Sequence, residues 1–271
     1  MVAHVESVDR LDPIAHGQPV VSAGAHREDL LVVATAQGRH SLILDVPLNC
    51  RVVLFDWTGE GIPAAANPYG FEVLSVATEC KGHLIEAASR ALALPPEGCY
   101  VGFVDDDVLL RFSDINTMLA MARIHQLAAL QPSVSFSGSL CDEYSWLRQR
   151  ACLSLHRVPI VEIMSPFIRS DLFACSLPFL TGIRSGYGLD RFALPLCADH
   201  LGCWRFAAID LAPMSHVRPL SSVNRRFTSG LQSKDEELLV RQRLMLAMGF
   251  AVDREVYSRL EAAVASGAVQ C

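Results

Sequence analysis

The sequence predicts an α/β fold with a mostly parallel central sheet flanked by helices and a helical tail at the C-terminus. Three observations predict it. Short, wholly apolar runs such as Leu30–Ala34 are what strands covered on both faces require. Those runs alternate with segments of helical propensity, the pattern of a layered α/β sheet. Several of them also stop at an aspartate, and in such sheets ligands collect beyond the carboxyl ends of the strands.

Residues 1–27 are polar and aperiodic and are expected to be a poorly ordered lead-in. Strands are then predicted over Leu30–Ala34, over Arg51–Phe55 running into Asp56, and over Phe71–Val76. His83–Leu94, rich in Ala, Leu and Glu and halted by Pro95-Pro96, reads as a helix. Tyr100–Val104 is a fourth strand, followed directly by Asp105-Asp106-Asp107. Ser113-Asp114 caps a helix expected to reach about Ala129. Gln131–Phe136, Pro159–Ile168 and Arg205–Ile209 read as further strands, the last ending at Asp210, and Ser170-Asp171 as the cap of a short helix. Asp235–Met248 and Asp253–Val264 are amphipathic helices that could dock on the domain, a second subunit or a membrane face. The expected division is thus 1–27, a domain over 28–230, and the tail over 231–271.

Composition narrows the function. The 271 residues are 51% hydrophobic and 19% charged, ample for a core. A net charge of −6 argues against a nucleic-acid partner, which needs a broad basic field. The nine cysteines contain no C-x-x-C pair, and the N-terminus has no signal-peptide pattern. Reduced, mostly buried thiols in a cytoplasmic protein follow from that, with room for a peripheral membrane contact. No stretch approaches the roughly 20 apolar residues of a membrane span. Thr35-Ala36-Gln37-Gly38-Arg39 lacks the glycine pattern of a dinucleotide-binding loop, which argues against a dehydrogenase.

Adjacent carboxylates after a buried strand are costly unless a cation sits among them. Strand alternation would turn Asp105 and Asp107 to one side. Mg²⁺ or Mn²⁺ takes one or two carboxylates plus substrate phosphates, so the run reads as a metal site for a diphosphate. The plainer alternative is a solvated acidic turn before a helix. Lys81 is either a phosphate partner or a helix start, and Arg225-Arg226 a phosphate clamp or a solvated pair. Glu162 alternates like the polar side of a strand, and burial would make it a candidate base.

The run Val101-Gly102-Phe103-Val104-Asp105-Asp106-Asp107 resembles the strand and D-x-D motif of GT-A glycosyltransferases. The chain further resembles the family catalogued as domain of unknown function 707. That likeness is carried in order by Lys81-Gly82, the acidic run, Gln131-Pro132, Val161-Glu162-Ile163-Met164-Ser165-Pro166, Gly186-Tyr187-Gly188-Leu189-Asp190, and Ile209-Asp210 with His216. The resemblance implies a GT-A-like single domain and a metal-dependent, inverting glycosyltransferase. Its cofactor would be Mn²⁺ or Mg²⁺, its donor a nucleotide-sugar, and its acceptor a saccharide or lipid-linked hydroxyl.

Carried over by position, the resemblance implies Asp105, Asp107 and His216 at the metal, with Asp107 the direct ligand. It implies Asp56 and Asp105 or Asp106 at the nucleotide-sugar and Asp190 as the general base. Lys81 and Arg218 are candidates for the same nucleotide-sugar by their charge, and Glu162, if buried, is the rival base. Two alternatives share the acidic site: a hydrolase or nucleotidyltransferase, and a non-catalytic nucleotide-sugar-binding module.

Overall fold

The computed structural model describes residues 28–218 and 225–268. The predicted lead-in over 1–27 lies outside the described residues. Strands β1 (Leu30–Thr35), β3 (Arg51–Asp56), β4 (Glu72–Ser75) and β5 (Tyr100–Val104) pair in parallel in the order β4-β3-β1-β5. Every residue of β1 and β5 is buried, as their unbroken apolar runs require. Helix α1 (Lys81–Ala91) connects β4 to β5.

Beyond β5 the sheet becomes mixed. Short β9 (Phe167–Arg169) runs antiparallel between β5 and β7 (Ala129–Val134). β7 pairs in parallel with β10 (Phe206–His216), whose far end pairs antiparallel with β6 (Val108–Arg111). β2 (Leu42–Ile43) extends the β6 edge, and β8 (Leu155–Arg157) pairs with β10. This connectivity builds the site. The chain leaves β5 at Val104, turns through the three aspartates and enters β6 at Val108, whose partner in β10 is His216. A histidine far along the sequence is thereby set beside Asp107.

Several expected boundaries move. Pro159–Ile168 is not a strand; only β9 forms, because Pro159 and Pro166 have no N–H for a ladder, and Glu162 lies on an irregular loop. α2 (Phe112–Ile124) stops short of Ala129, with Gln126 at φ +51° reversing the chain so that Ala129 can begin β7. β7 ends at Val134, which leaves Phe136 outside it. β10 continues past Asp210 through a register shift between Ile209 and Met214. Asp210 is buried and bonded to His156 Nδ1 at 2.7 Å, so it serves the interior.

Both tail helices form, as α5 (Ser233–Ala247) and α6 (Arg254–Ala268). α5 docks on the same molecule through Leu239, Val240 and Leu244. Its fully buried Glu236 accepts hydrogen bonds from the backbone N–H groups of Arg184 and Ser185, at 3.1 and 2.7 Å, and from Ser185 Oγ at 2.6 Å. That clamp fixes the chain just before the Gly186-Tyr187-Gly188 turn. Gly188 has φ +92°, and a β-carbon there would stand 2.8 Å from Val240 Cβ, so only glycine lets α5 approach. α6 holds α5 through Arg243 and Glu261, 2.7 Å apart.

Candidate active site

A cleft of about 760 Å³ opens beyond the carboxyl ends of β1 and β5, lined by all three residues of the acidic run. Residues 105–107 form a turn rather than extended strand, so strand alternation does not govern them. Each carboxylate consequently meets a different partner. Asp105 Oδ1 pairs with Lys81 Nζ at 2.6 Å, and that ammonium, almost wholly buried, also donates to Met164 O at 3.4 Å. Burial pushes Asp105 up, against the pull of Lys81. Asp106 accepts from Trp57 Nε1 at 3.2 Å and pairs with Arg218 at 3.3 Å. Asp107 Oδ1 lies 3.2 Å from His216 Nε2.

The Asp107–His216 contact works on both partners. Burial pushes Asp107 up, but the His216 bond and charge, with Arg218, more than offset it and hold the carboxyl below the usual range. The same bond raises His216 against its burial. A carboxylate oxygen and an imidazole nitrogen converging beside a cleft fit a divalent cation that takes its other ligands from phosphate and water. Among the described residues no group of three or more His, Cys, Asp or Glu side chains forms a metal cage. Asp105 therefore does not join Asp107 and His216 as a third ligand, since it is turned to Lys81.

The cleft also holds the two predicted candidate bases, and their environments push them apart. Asp190 is the second residue of the π-helical turn Leu189–Ala193; its Oδ2 accepts from Tyr144 Oη at 3.0 Å and its Oδ1 from the Arg191 backbone N–H at 2.8 Å. Burial raises it to about 6. Glu162 accepts from the Met164 backbone N–H at 2.8 Å, and burial together with the charge of Asp190 raises it to about 8. At neutral pH Asp190 is mostly ionised and Glu162 mostly protonated. In that state Asp190 is able to accept a proton and Glu162 to donate a hydrogen bond.

The raised Glu162 value also makes a stability prediction. A carboxyl raised above its ordinary 4.5 contributes fully below that value, and the contribution is lost as pH climbs through about 8. Glu162→Gln is therefore expected to raise Tm above about pH 8 and to leave it nearly unchanged below about pH 4.5, as checked by thermal melts across pH.

Asp56 is not brought into the cleft. It is fully buried, and its carboxylate accepts from Gln37 N at 3.0 Å, Thr58 Oγ1 at 2.8 Å and Gly61 N at 2.7 Å. The next residue, Trp57, lines the cleft in its place, so Asp56 shapes the loop that presents the indole. Arg218 and Arg225 both line the cleft, whereas Arg226 turns back to Gly230 O. Trp57, Glu79, Tyr144, Arg191, Lys234 and Glu237 also line it and were not singled out from the sequence. Arg191 had a signal, standing next to the glycine-rich motif. Tyr144 had none, since it belongs to an irregular segment.

No family model matches the chain, and no curated protein matches it. The likeness to the domain of unknown function 707 family thus rests on its motifs. Solved structures do match. S. aureus TarS 1–349 in complex with UDP-GlcNAc superposes with a TM-score of 0.50 at 11% identity, over 88% of this chain and 70% of that one. The same protein with UDP gives 0.47 at 12% identity over the same shares. GalNAc-T7 with UDP, GalNAc and Mn²⁺ gives 0.48 at 10% identity, over 87% of this chain and 55% of that one. The α/β architecture seen here is that of GT-A glycosyltransferases.

Proposed function

We propose that this chain is a nucleotide-sugar-dependent glycosyltransferase that moves a sugar to a hydroxyl of a saccharide or lipid-linked acceptor with inversion. The observation that carries the reading is that one cleft is lined both by the Asp107–His216 pair with Arg218 and Arg225, and by a buried carboxylate, Asp190, tuned to about 6. The first group suits a diphosphate and the second suits a reacting hydroxyl. The motif order shared with the domain of unknown function 707 family supports the same reading, as does the shared fold of TarS, solved with UDP-GlcNAc.

In the reaction, Asp190 takes the proton of the acceptor hydroxyl as its oxygen bonds to the anomeric carbon. The bond from that carbon to the diphosphate oxygen breaks, and the electron pair leaves with the nucleoside diphosphate. A single displacement of this kind inverts the anomeric centre. Mn²⁺ or Mg²⁺, held by Asp107 and His216, would supply Lewis-acid charge neutralisation of the departing diphosphate. Arg218 and Arg225 bind the same phosphates, and Trp57 offers an aromatic face at the cleft wall. Lys81 holds Asp105 in place. Glu162, protonated, hydrogen-bonds a sugar or acceptor oxygen. The eight described cysteines are free thiols, and no helix of the described residues is long and apolar enough to cross a membrane.

The test is release of UDP from UDP-GlcNAc, alongside other nucleotide-sugars, with Mn²⁺ or Mg²⁺ and a panel of saccharide and lipid-linked acceptors. Release that depends on an acceptor supports transfer. Equal release with water alone would identify a hydrolase. Binding of UDP-GlcNAc with no release under any condition would identify a binding module.

A further inference from the structure

Beside Asp190 stands a side chain that no motif singles out. Tyr144 lies in the short 3-10 segment Asp142–Leu147, its ring edge-on to Trp146 with centroids 5.6 Å apart. Its hydroxyl oxygen is 3.0 Å from Asp190 Oδ2 and 3.0 Å from Arg191 Nε. A guanidinium can only donate, so in the contact with Arg191 the tyrosine oxygen is the acceptor. The phenolic proton is then left to one partner, the carboxylate of Asp190. Burial raises the Tyr144 phenol further above its usual range, so that proton stays in place.

Arg191 is itself tethered. It pairs with Glu143 on the Tyr144 segment and stands 3.7 Å from Glu237 on α5, while its guanidinium carbon lies 5.3 Å from the centre of the Tyr144 ring. Three stretches of chain that are distant in sequence therefore converge to fix one hydroxyl rotor. Asp190 in turn is bonded at both oxygens, to Tyr144 and to the Arg191 backbone N–H. Its orientation is set before any substrate arrives.

We propose that Tyr144, its hydroxyl aimed by Arg191, is the positioning residue for Asp190, donating to Oδ2 so that the carboxylate's remaining lone pairs face the acceptor hydroxyl. The inference rests on the glycosyltransferase reading and deepens it. Other charged groups around Asp190 are Glu162 on its loop, Glu143 beside Tyr144, Arg191, and Lys234 and Glu237 on α5; α4 (Leu194–His200), packed behind the turn, carries Asp199 and His200 at its exposed end. After burial, which raises Asp190, the Tyr144 bond is the largest influence in the other direction. Removing it should move Asp190 up.

Tyr144→Phe keeps the ring, its contact with Trp146 and its stacking with Arg191, and removes the hydroxyl that donates to Asp190 and accepts from Arg191 Nε. The midpoint of Asp190 is read by carbon-13 NMR titration of its carboxyl, assigned with Asp190→Asn, and the rate by UDP release from UDP-GlcNAc across pH. In Tyr144→Phe the midpoint is expected to rise by about one pH unit, with turnover about tenfold lower on the acid side and within about threefold of wild type on the alkaline side. Arg191→Met, which frees the rotor and also removes a positive charge that lowers Asp190, is expected to move the midpoint in the same direction by less. An unmoved midpoint in Tyr144→Phe overturns the proposal, as does an equal loss of rate at every pH, the mark of a merely structural role. The titration needs no substrate. A wild type that releases no UDP sinks the glycosyltransferase reading, and an unmoved midpoint with normal wild-type turnover sinks only the positioning role.

Discussion

Replacing Asp190 with asparagine is expected to lower sugar transfer by about 10²–10⁴-fold, the usual worth of a general base, while donor affinity stays within about twofold. The asparagine keeps the size and can still accept from Tyr144, so the cleft wall is preserved. In the wild type, Asp190 must be ionised to take a proton, so the rate should fall as pH drops below about 6. The proton on Glu162, held up to about 8, gives the second limb: above that pH a second carboxylate charge appears beside Asp190 and the rate should fall again. The expected profile is a bell, and its two midpoints belong to a pair of carboxylates that influence one another. Initial rates across pH for wild type and Asp190→Asn check both points. A variant with wild-type turnover would remove Asp190 from the chemistry.

Replacing Asp107 with alanine is expected to weaken Mn²⁺-dependent UDP binding on the order of 100-fold, equivalent to about 2.7 kcal/mol. Binding measured with the cation chelated should hardly change, because on the proposed reading Asp107 acts only through the cation, while Arg218 and Arg225 still line the cleft. The asymmetry between the two conditions is the point of the experiment. Asp105→Ala should behave differently, since its carboxylate is spent on Lys81; removing it strands a buried ammonium and should lower stability under both conditions. Calorimetric titration with and without chelator separates the two aspartates. Equal metal dependence in wild type and Asp107→Ala would show that Asp107 does not hold the cation.

How far the sequence could be read depended on the range over which each feature is determined. β1, β3 and β5 were legible because a strand buried on both faces must be apolar throughout, a local requirement that single residues display. α1 was legible through the helical propensity of its residues and the Pro95-Pro96 stop, and α5 through amphipathic spacing, both local features. Glu162 was misplaced because Val161 and Ile163 alternate with it like a strand, whereas Pro159 and Pro166 leave no ladder for that stretch to join. The site divides along the same line. The acidic run, His216 and Asp190 were visible as motifs, but their division of labour was not. Lys81 claims Asp105 from another element, and β10 delivers His216 to Asp107 through sheet order, which no local window encodes. Asp56 stops a strand, as a ligand residue in this fold class would, yet three donors from neighbouring loops consume its oxygens. Tyr144 has no periodic or motif context and acquires meaning only from what surrounds it.

The most direct test of the central claim is a crystal structure of the chain with UDP-GlcNAc and Mn²⁺. The account predicts the diphosphate at Asp107, His216 and Arg218, with the anomeric carbon exposed on the side where Asp190 is held by Tyr144. A donor bound outside this cleft, or bound within it with the sugar turned away from Asp190, would contradict it.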